Sequence, residues 1–439
     1  MKIKLIKNNS IVDEREKKIR IEGDKISSVH ILLQSLFVTN RRIRIKNIPF
    51  CLDFFRIVNF IEKNNIGKIH IDKEDRSLEI ISLKSIKDLS PLNKVSRASI
   101  GMISSLVLRN GFLEFCKPGG CTFSERPIDA HLNLLKEIAT LEYSASNNYY
   151  IANRLSTLPP KINCNCYTGC TSSIGVFFNS LLMAYSYPGE ISIYGFPKES
   201  SVKEMLSFLS LSTNRTYYVK HNHIIIRKVD KIIFKNCEYS LCPDTTMAMS
   251  YILLNYNILD TLSLKGITTN CFINSQIEFL EKIGIKLIDD QRSVKLIKKD
   301  IDIIEHPLVV RFGQYPDMIT DLNPIITSFL ATKNIESLIV DYTYSERYSH
   351  IPPLNSMGIS LDILNKGIVG HTNNKNCIEI KENKIQAPDI RAGMAIILSF
   401  MLNSSYKEII IENFEQILRG YGNVLTMLNK VGVKFEKCI

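Results

Sequence analysis

Hydrophobic and polar positions along this chain switch period repeatedly. A stretch with apolar residues on one helical face, carrying Leu or Phe beside Lys or Glu, gives way to a small residue and then to a short alternating run. A period near 3.6 predicts an amphipathic helix, and a period of 2 predicts a half-buried strand. The pattern appears as Phe60-Ile61-Glu62-Lys63 leading to Ile69-His70-Ile71, and as Leu134-Leu135-Lys136-Glu137 leading to Leu141-Glu142-Tyr143. Met205 to Leu209 leads to Tyr217-Tyr218-Val219, and the clearest copy is Phe279-Leu280-Glu281-Lys282-Ile283-Gly284-Ile285-Lys286-Leu287. Leu361 to Gly367 reads as a fifth copy, and Met427-Leu428-Asn429-Lys430-Val431-Gly432-Val433-Lys434-Phe435 as the last. The glycine before the strand is a helix C-cap signal, because glycine enters the left-handed conformation without a steric penalty.

Copies at intervals of roughly 70 to 80 residues lie too far apart for a solenoid, whose repeats fall at ~20–50. They predict six small units, each a helix packed on a short sheet, grouped three and three into two domains. Helices and strands alternate throughout, so the class is α/β, or α+β with mixed sheets.

Composition adds little to this except through charge. With 439 residues, 45% apolar and 23% charged, the chain has the ordinary globular balance, which excludes intrinsic disorder. The net charge of +11 points to an anionic partner. The basic residues are spread out rather than gathered in a stripe, which argues against nucleic acid. The basic start, Met1 to Lys7, is followed by no apolar run of signal-peptide length. Apolar patches such as Met394 to Leu402 are about half of what a membrane span requires. The eleven cysteines, an odd number without paired spacing, fit free thiols in a cytoplasmic protein. Cys164, Cys166 and Cys170 have no His pair nearby and read as ordinary thiols rather than a metal site.

Candidate chemistry is densest from Lys117 to His131. Pro118-Gly119-Gly120 predicts an exposed turn, and Cys121 displayed on it beside Lys117 and Arg126 would have its thiolate favoured by positive charge. Such a thiol could serve as nucleophile or proton donor. Arg126, Pro127, Ile128, Asp129 and His131 follow, and a guanidinium there can hold a phosphate or carboxylate through two parallel hydrogen bonds. Read blandly, the segment is a surface turn entering a helix. Isolated arginines stand in turn-like contexts: Arg97 in Ser-Arg-Ala-Ser, Arg347 in Ser-Glu-Arg-Tyr, Arg391 in Pro-Asp-Ile-Arg-Ala-Gly and Arg419 in Leu-Arg-Gly-Tyr-Gly. Lys25 and Asp321 sit where helices begin, positions at which a charged residue is commonly structural.

Together these residues resemble the UDP-N-acetylglucosamine 1-carboxyvinyltransferases, enolpyruvyl transferases of the EPSP synthase family. Pro-Gly-Gly-Cys-Thr followed by Arg-Pro-x-Asp-x-His is similar to that family's loop. Ser96-Arg97-Ala98-Ser99-Ile100, Thr320-Asp321-Leu322-Asn323, Glu346-Arg347, Asp389-Ile390-Arg391-Ala392 and Arg419-Gly420-Tyr421 resemble further motifs in the same order. The resemblance implies a two-domain inside-out α/β barrel built from six repeated units, its domains facing each other across a cleft. One domain would comprise residues 1–24 with 243–439, and the other residues 25–242 with the Cys121 loop. It also implies enolpyruvyl transfer from phosphoenolpyruvate to a sugar hydroxyl, as in the first step of peptidoglycan precursor synthesis. Lys25 and Arg126 would hold phosphoenolpyruvate with Arg419, and Arg97, Arg347 and Arg391 would complete the basic site. Cys121 would donate a proton to the enol methylene and be alkylated by fosfomycin. Asp321 would take the proton of the attacking hydroxyl. Arg126 to Asp129 would pack on the uracil, and Asp244 and Thr168 are further binding candidates. The scheme requires no metal or cofactor, and a monomer without membrane or nucleic-acid partners is expected.

Three positions depart from the family pattern. Ile26 stands where the family has Asn, the segment Asn165 to Ser173 differs from the usual Lys-x-Ser-Val-Gly-Ala, and Gly422 replaces an acid. These changes fall on the acceptor side, so three readings stay open: UDP-N-acetylglucosamine as acceptor, another uridine nucleotide such as UMP, or a non-catalytic anion-binding relative.

Overall fold

The computed structural model describes residues 1–7, 17–119, 127–146, 148–168, 171–299, 307–371 and 383–438. The chain divides into two compact units. The terminal unit comprises Met1–Glu22, Phe50–Leu52 and Pro243–Ile439; the middle unit comprises Gly23–Pro49 and Asp53–Cys242.

Each unit is built from three sheets around buried helices. In the terminal unit the helices Thr245–Leu254, Asn323–Thr332 and Ile390–Leu402 are buried almost all round and pack on one another. A helix with apolar residues on every side must sit inside a core, and these do. Serines allow the close approach: Ser328 Oγ donates to the Ala395 carbonyl at 2.8 Å and lies 3.2 Å from Ser399 Oγ. Around them run three sheets, whose strand orders are Ile285–Asp290, Ser293–Lys298, Leu262–Lys265, Lys17–Arg20; then Lys384–Gln386, Glu408–Glu412, Lys2–Lys7, Val433–Cys438; and the five-stranded Met318–Ile319, Leu308–Gly313, Ser337–Asp341, Ile368–His371, Asp362–Asn365.

In the middle unit the buried helices are Lys25–Ser35, Ile103–Asn110 and Ile174–Leu182. A Cβ at Gly101 would overlap the Phe178 ring, against whose other contacts His30 lies edge-on at 4.3 Å. The sheets are Cys237–Ser240, Arg42–Lys46, Ser77–Ser82, Gly67–Asp72; Phe112–Cys116, Tyr149–Arg154, Ala139–Ser144; and Tyr217–Lys220, His223–Ile226, Glu190–Tyr194, Lys161–Asn165. Five of these six sheets pair strands both parallel and antiparallel, which is the mixed α/β class expected from the sequence.

Outer helices are amphipathic, as the periodicity predicts. Leu52–Lys63 buries Phe54, Ile57, Val58 and Ile61 and leads to the strand Gly67–Asp72. Asn274–Lys282 leads through Gly284 (φ +77°) to Ile285–Asp290, and Val424–Lys430 through Gly432 (φ +89°) to Val433–Cys438. The fifth copy is displaced. Leu361 to Gly367 holds the edge strand Asp362–Asn365 and a hairpin turn, while the helix lies earlier at Ile351–Ser356 and ends at Gly358 (φ +84°). Pro352 and Pro353 start that helix, and its six residues are too short to display a period. Among the described residues, no helix is long and apolar enough to cross a membrane.

Candidate active site

In the terminal unit, three of the residues singled out in the sequence meet. Asp321 lies in the short 3-10 turn Thr320–Leu322, just before the buried helix Asn323–Thr332. Its Oδ1 accepts a hydrogen bond from Arg347 Nη1 at 3.0 Å. Its Oδ2 accepts two from Arg391, from Nε at 3.1 Å and Nη2 at 2.8 Å, the paired geometry that only a guanidinium offers a carboxylate. The arginine side chains are 3% and 6% exposed, the carboxylate 28%. Burial alone would push the Asp321 carboxyl up. The charges of Arg391 and then Arg347 outweigh it and hold the group well below the usual carboxylate range.

Local structure fixes each member. Asp389 caps the helix Ile390–Leu402, its Oδ1 accepting from the Arg391 and Ala392 backbone N–H groups at 2.8 and 3.0 Å. That cap sets Arg391 in the first turn with its side chain aimed back at Asp321. Arg391 Nη1 donates to Tyr421 Oη at 2.6 Å, and Tyr421 Oη lies 2.8 Å from Ser250 Oγ. Arg347 Nη1 also reaches the Thr320 carbonyl at 3.1 Å. Asp341 Oδ2 accepts from Thr320 Oγ1 at 2.5 Å and from Asn323 Nδ2 at 2.9 Å, which pins the turn that carries Asp321. Asp244 caps Thr245–Leu254 through Met247 N at 2.8 Å and acts electrostatically on Arg391. His350 is fully buried beside Arg347; burial, then the arginine charge, pushes it down to about 3, so it adds no charge. Arg419 follows the helix Glu415–Leu418, with Nη1 donating to Gln416 Oε1 at 2.9 Å.

In the middle unit, Asp24 caps the helix Lys25–Ser35 by accepting from Ser27 N at 2.7 Å, which places Lys25 at its first position. Lys25 Nζ pairs with Asp53 Oδ2 at 2.8 Å. Ile26, next on the helix, is 37% exposed. Arg97 opens the 3-10 helix Arg97–Met102 and points Nη2 at the Pro127 carbonyl, 3.5 Å away. Ile128 and His131 are buried at the start of Asp129–Lys136, while Pro127 and Asp129 are exposed. Burial and then the Arg97 charge push His131 down to about 3, so its imidazole is neutral. Arg97 and His131 are therefore neighbours, and His131 Nε2 in turn faces Gly175 at the start of Ile174–Leu182, which Ser173 caps. Thr168 is exposed on the two-stranded hairpin Tyr167–Thr168 with Thr171–Ser172. Cys164 and Cys166 are buried, and burial pushes Cys164 up to about 12 and Cys166 higher still, the behaviour of inert core thiols. Cys121 and Arg126 lie outside the described residues.

Partners that the sequence reading missed are Asp53, Tyr421, Ser250 and Asp341. Tyr421 was inside a quoted motif, Arg419-Gly420-Tyr421; Asp53, in the first turn of Leu52–Lys63, stands in none of the quoted motifs. Gly422 has a structural cause: a Cβ there would overlap the Phe50 carbonyl, within the same unit. No acid fits at that position while Phe50 stays.

Comparison with known proteins finds relatives over almost the whole chain. A sequence model of the family EPSP synthase (3-phosphoshikimate 1-carboxyvinyltransferase) matches residues 11–428. UDP-N-acetylglucosamine 1-carboxyvinyltransferase 2 of Streptococcus mutans serotype c is 26% identical over 423 residues, covering 95% of this chain and 96% of its own length. The UDP-N-acetylglucosamine 1-carboxyvinyltransferase of Pelagibacter ubique is 27% identical over 431 residues, with 95% and 96% covered. Among solved structures, the enolpyruvyl transferase NikO from Streptomyces tendae superposes with a TM-score of 0.81 at 15% identity, covering 99% of this chain and 98% of that one. EPSP synthase from Acinetobacter baumannii gives 0.68 at 15% identity, with both chains covered completely at 100%. At such identities the two structures establish the fold.

Proposed function

This chain belongs to the EPSP synthase family, and from that premise we propose that it moves the enolpyruvyl group of phosphoenolpyruvate to a hydroxyl of UDP-N-acetylglucosamine and releases phosphate. The observation that carries the reading is Asp321 set between two buried arginines, Arg347 and Arg391, in the motifs that the family resemblance picks out. The naming of relatives that align over almost the whole chain supports this acceptor.

The chemistry accounts for the residue types. As the acceptor oxygen adds to C2 of phosphoenolpyruvate, its proton passes to Asp321 and a proton from Cys121 joins the methylene carbon. The tetrahedral intermediate then loses phosphate from C2 and a proton from its new methyl group, which restores the double bond. Charge builds on phosphate and carboxylate oxygens, so positioned cations contribute the largest share of the stabilisation. We assign Lys25, Arg126 and Arg419 to phosphoenolpyruvate, and Arg97, Arg347 and Arg391 to the remaining anionic oxygens. Pro127, Ile128, Asp129, His131, Thr168 and Asp244 are assigned to the acceptor, the last as a neighbour of Arg391.

A second reading, the same transfer to a smaller uridine nucleotide such as UMP, is favoured by Ile26. An exposed isoleucine offers no hydrogen bond to a sugar. Phosphate release from phosphoenolpyruvate with UDP-N-acetylglucosamine, UMP or shikimate 3-phosphate separates the readings. Release with the first supports the proposal, release only with UMP moves it to the second reading, and release with none overturns both.

A further inference from the structure

A carboxylate that shares its lone pairs with two guanidinium groups is a poor proton acceptor, because protonation must first break those bonds. Asp321 is in that position: Arg347 holds Oδ1 at 3.0 Å, and Arg391 holds Oδ2 at 2.8 and 3.1 Å. The same two arginines are of the residue type that grips phosphate and carboxylate oxygens in pairs. Resting on the enolpyruvyl transfer proposed above, we infer that an oxyanion of the incoming substrate takes Arg347 and Arg391 away from Asp321, and that this exchange makes Asp321 a base.

The supports of the three side chains are unequal in a way that permits the exchange. Arg391 is anchored without Asp321: its backbone N–H is held by Asp389, and Nη1 rests on Tyr421 Oη, itself beside Ser250. Arg347 keeps the Thr320 carbonyl at 3.1 Å. Asp321 is the most open of the three, 28% exposed against 3% and 6%, so an anion approaches from its side and finds the guanidinium groups already in place.

Charge points the same way. Facing the clamp are Asp244 near Arg391, Asp341 behind Thr320, Asp389 at the helix cap, the Tyr421 phenol and the neutral His350. Asp341 accepts from hydroxyl, amide and backbone donors, and Asp389 from Ser349 Oγ and the Arg391 and Ala392 backbone N–H groups. With the arginine contacts gone, the upward push of burial on Asp321 is no longer outweighed, and the carboxylate gains basicity when the acceptor hydroxyl needs it. Tyr421 and Ser250 act here as positioning residues.

Carbon-13 NMR of full-length protein labelled at aspartate carboxyls, with Asp321 assigned by its loss in Asp321→Asn, tests this. Without ligand, Asp321 should stay ionised as the pH falls from 7 to 4. Saturating phosphoenolpyruvate should raise its midpoint by roughly two pH units, within the range that one or two lost arginine contacts produce. Inorganic phosphate alone and pyruvate alone distinguish which oxyanion takes the arginines. Arg391→Lys, whose point charge cannot bridge both partners, should raise the ligand-free midpoint. An Asp321 signal that bound phosphoenolpyruvate leaves unmoved overturns the inference even if turnover is observed. A shift without turnover upholds the exchange and overturns the enolpyruvyl reading instead.

Discussion

Gly422→Ala should unfold the terminal unit far more easily than an ordinary glycine substitution. The added Cβ would overlap the Phe50 carbonyl and stand 3.0 Å from Cys51 N. Carbon atoms pack at about 3.5–4.0 Å, so the 50–51 backbone must retreat by roughly 2 Å. That retreat is resisted from behind. Phe50 N donates to Glu22 Oε2 at 2.9 Å, Asn423 Nδ2 donates to Glu22 Oε1, and Glu22 is 1% exposed. Overpacking costs about 1–3 kcal/mol, and weakening one hydrogen bond to a buried charge adds about 1.5–3 kcal/mol. A total of about 3–5 kcal/mol would lower the melting temperature by ~10 °C, at ~2–4 °C per kcal/mol for a unit of this size. Gly432→Ala is the matched control in the same unit: φ is +89°, nothing stands within 4 Å of its Cβ, and only backbone strain of about 1–2 kcal/mol is expected. Differential scanning calorimetry of both variants decides the matter. Gly422→Ala melting no lower than Gly432→Ala would refute the steric reasoning.

Acid should destabilise the middle unit below pH 6.5. His30 and His131 are pushed down by burial to about 4 and about 3, so below 6.5 the unfolded chain takes up protons that the native state refuses, and stability present above that pH is lost as it falls. Two such groups amount to about 4 kcal/mol between pH 6.5 and 5; equal melting temperatures at pH 7 and pH 5 would contradict this. Ile26→Asn should leave the melting temperature within about 2 °C, since exposed substitutions stay near ±0.5 kcal/mol, and should raise kcat/KM for UDP-N-acetylglucosamine relative to UMP by ~10-fold, one good hydrogen bond. An unchanged ratio would remove position 26 from acceptor choice.

Much of the fold was legible because outer helices turn one apolar face inward and several end at a residue suited to the left-handed region. Gly284 and Gly432 do this, and Asn65 (φ +51°) serves where Leu52–Lys63 ends. The fifth copy misled for a physical reason: Ile363 and Leu364 are 51% and 61% exposed on an edge strand, so their apolar character reports no buried helix face. At the candidate site, the sequence identified Asp321, Arg347 and Arg391 singly. The resemblance implied one shared site for them, but their direct pairing was not legible, because Arg391 lies 70 residues from Asp321 and Arg347 lies 26 away. Cys164, on the inward face of the strand Lys161–Asn165, and Cys166, just after it, are both buried, which the spacing alone does not reveal.

The departures from the family pattern separate into two kinds once packing is considered. At 422 the change answers to the chain itself: the Phe50 carbonyl occupies the place of a side chain, and Glu22 holds Phe50 there. An acid lost for that reason carries no information about the substrate. At 26 the fold makes no demand. Ser27 and Ser28 turn inward, the Ile26 carbonyl accepts from His30 Nδ1 at 2.8 Å, and the side chain is exposed beside Lys25. An exposed isoleucine in the first turn of a capped helix adds little to stability, so any residue of similar propensity would serve the fold equally well. Under the proposed function, what distinguishes isoleucine from asparagine at that position is what it offers to the acceptor. Acceptor identity is therefore to be sought at Ile26 and on the exposed Tyr167–Thr168 hairpin, and not at Gly422.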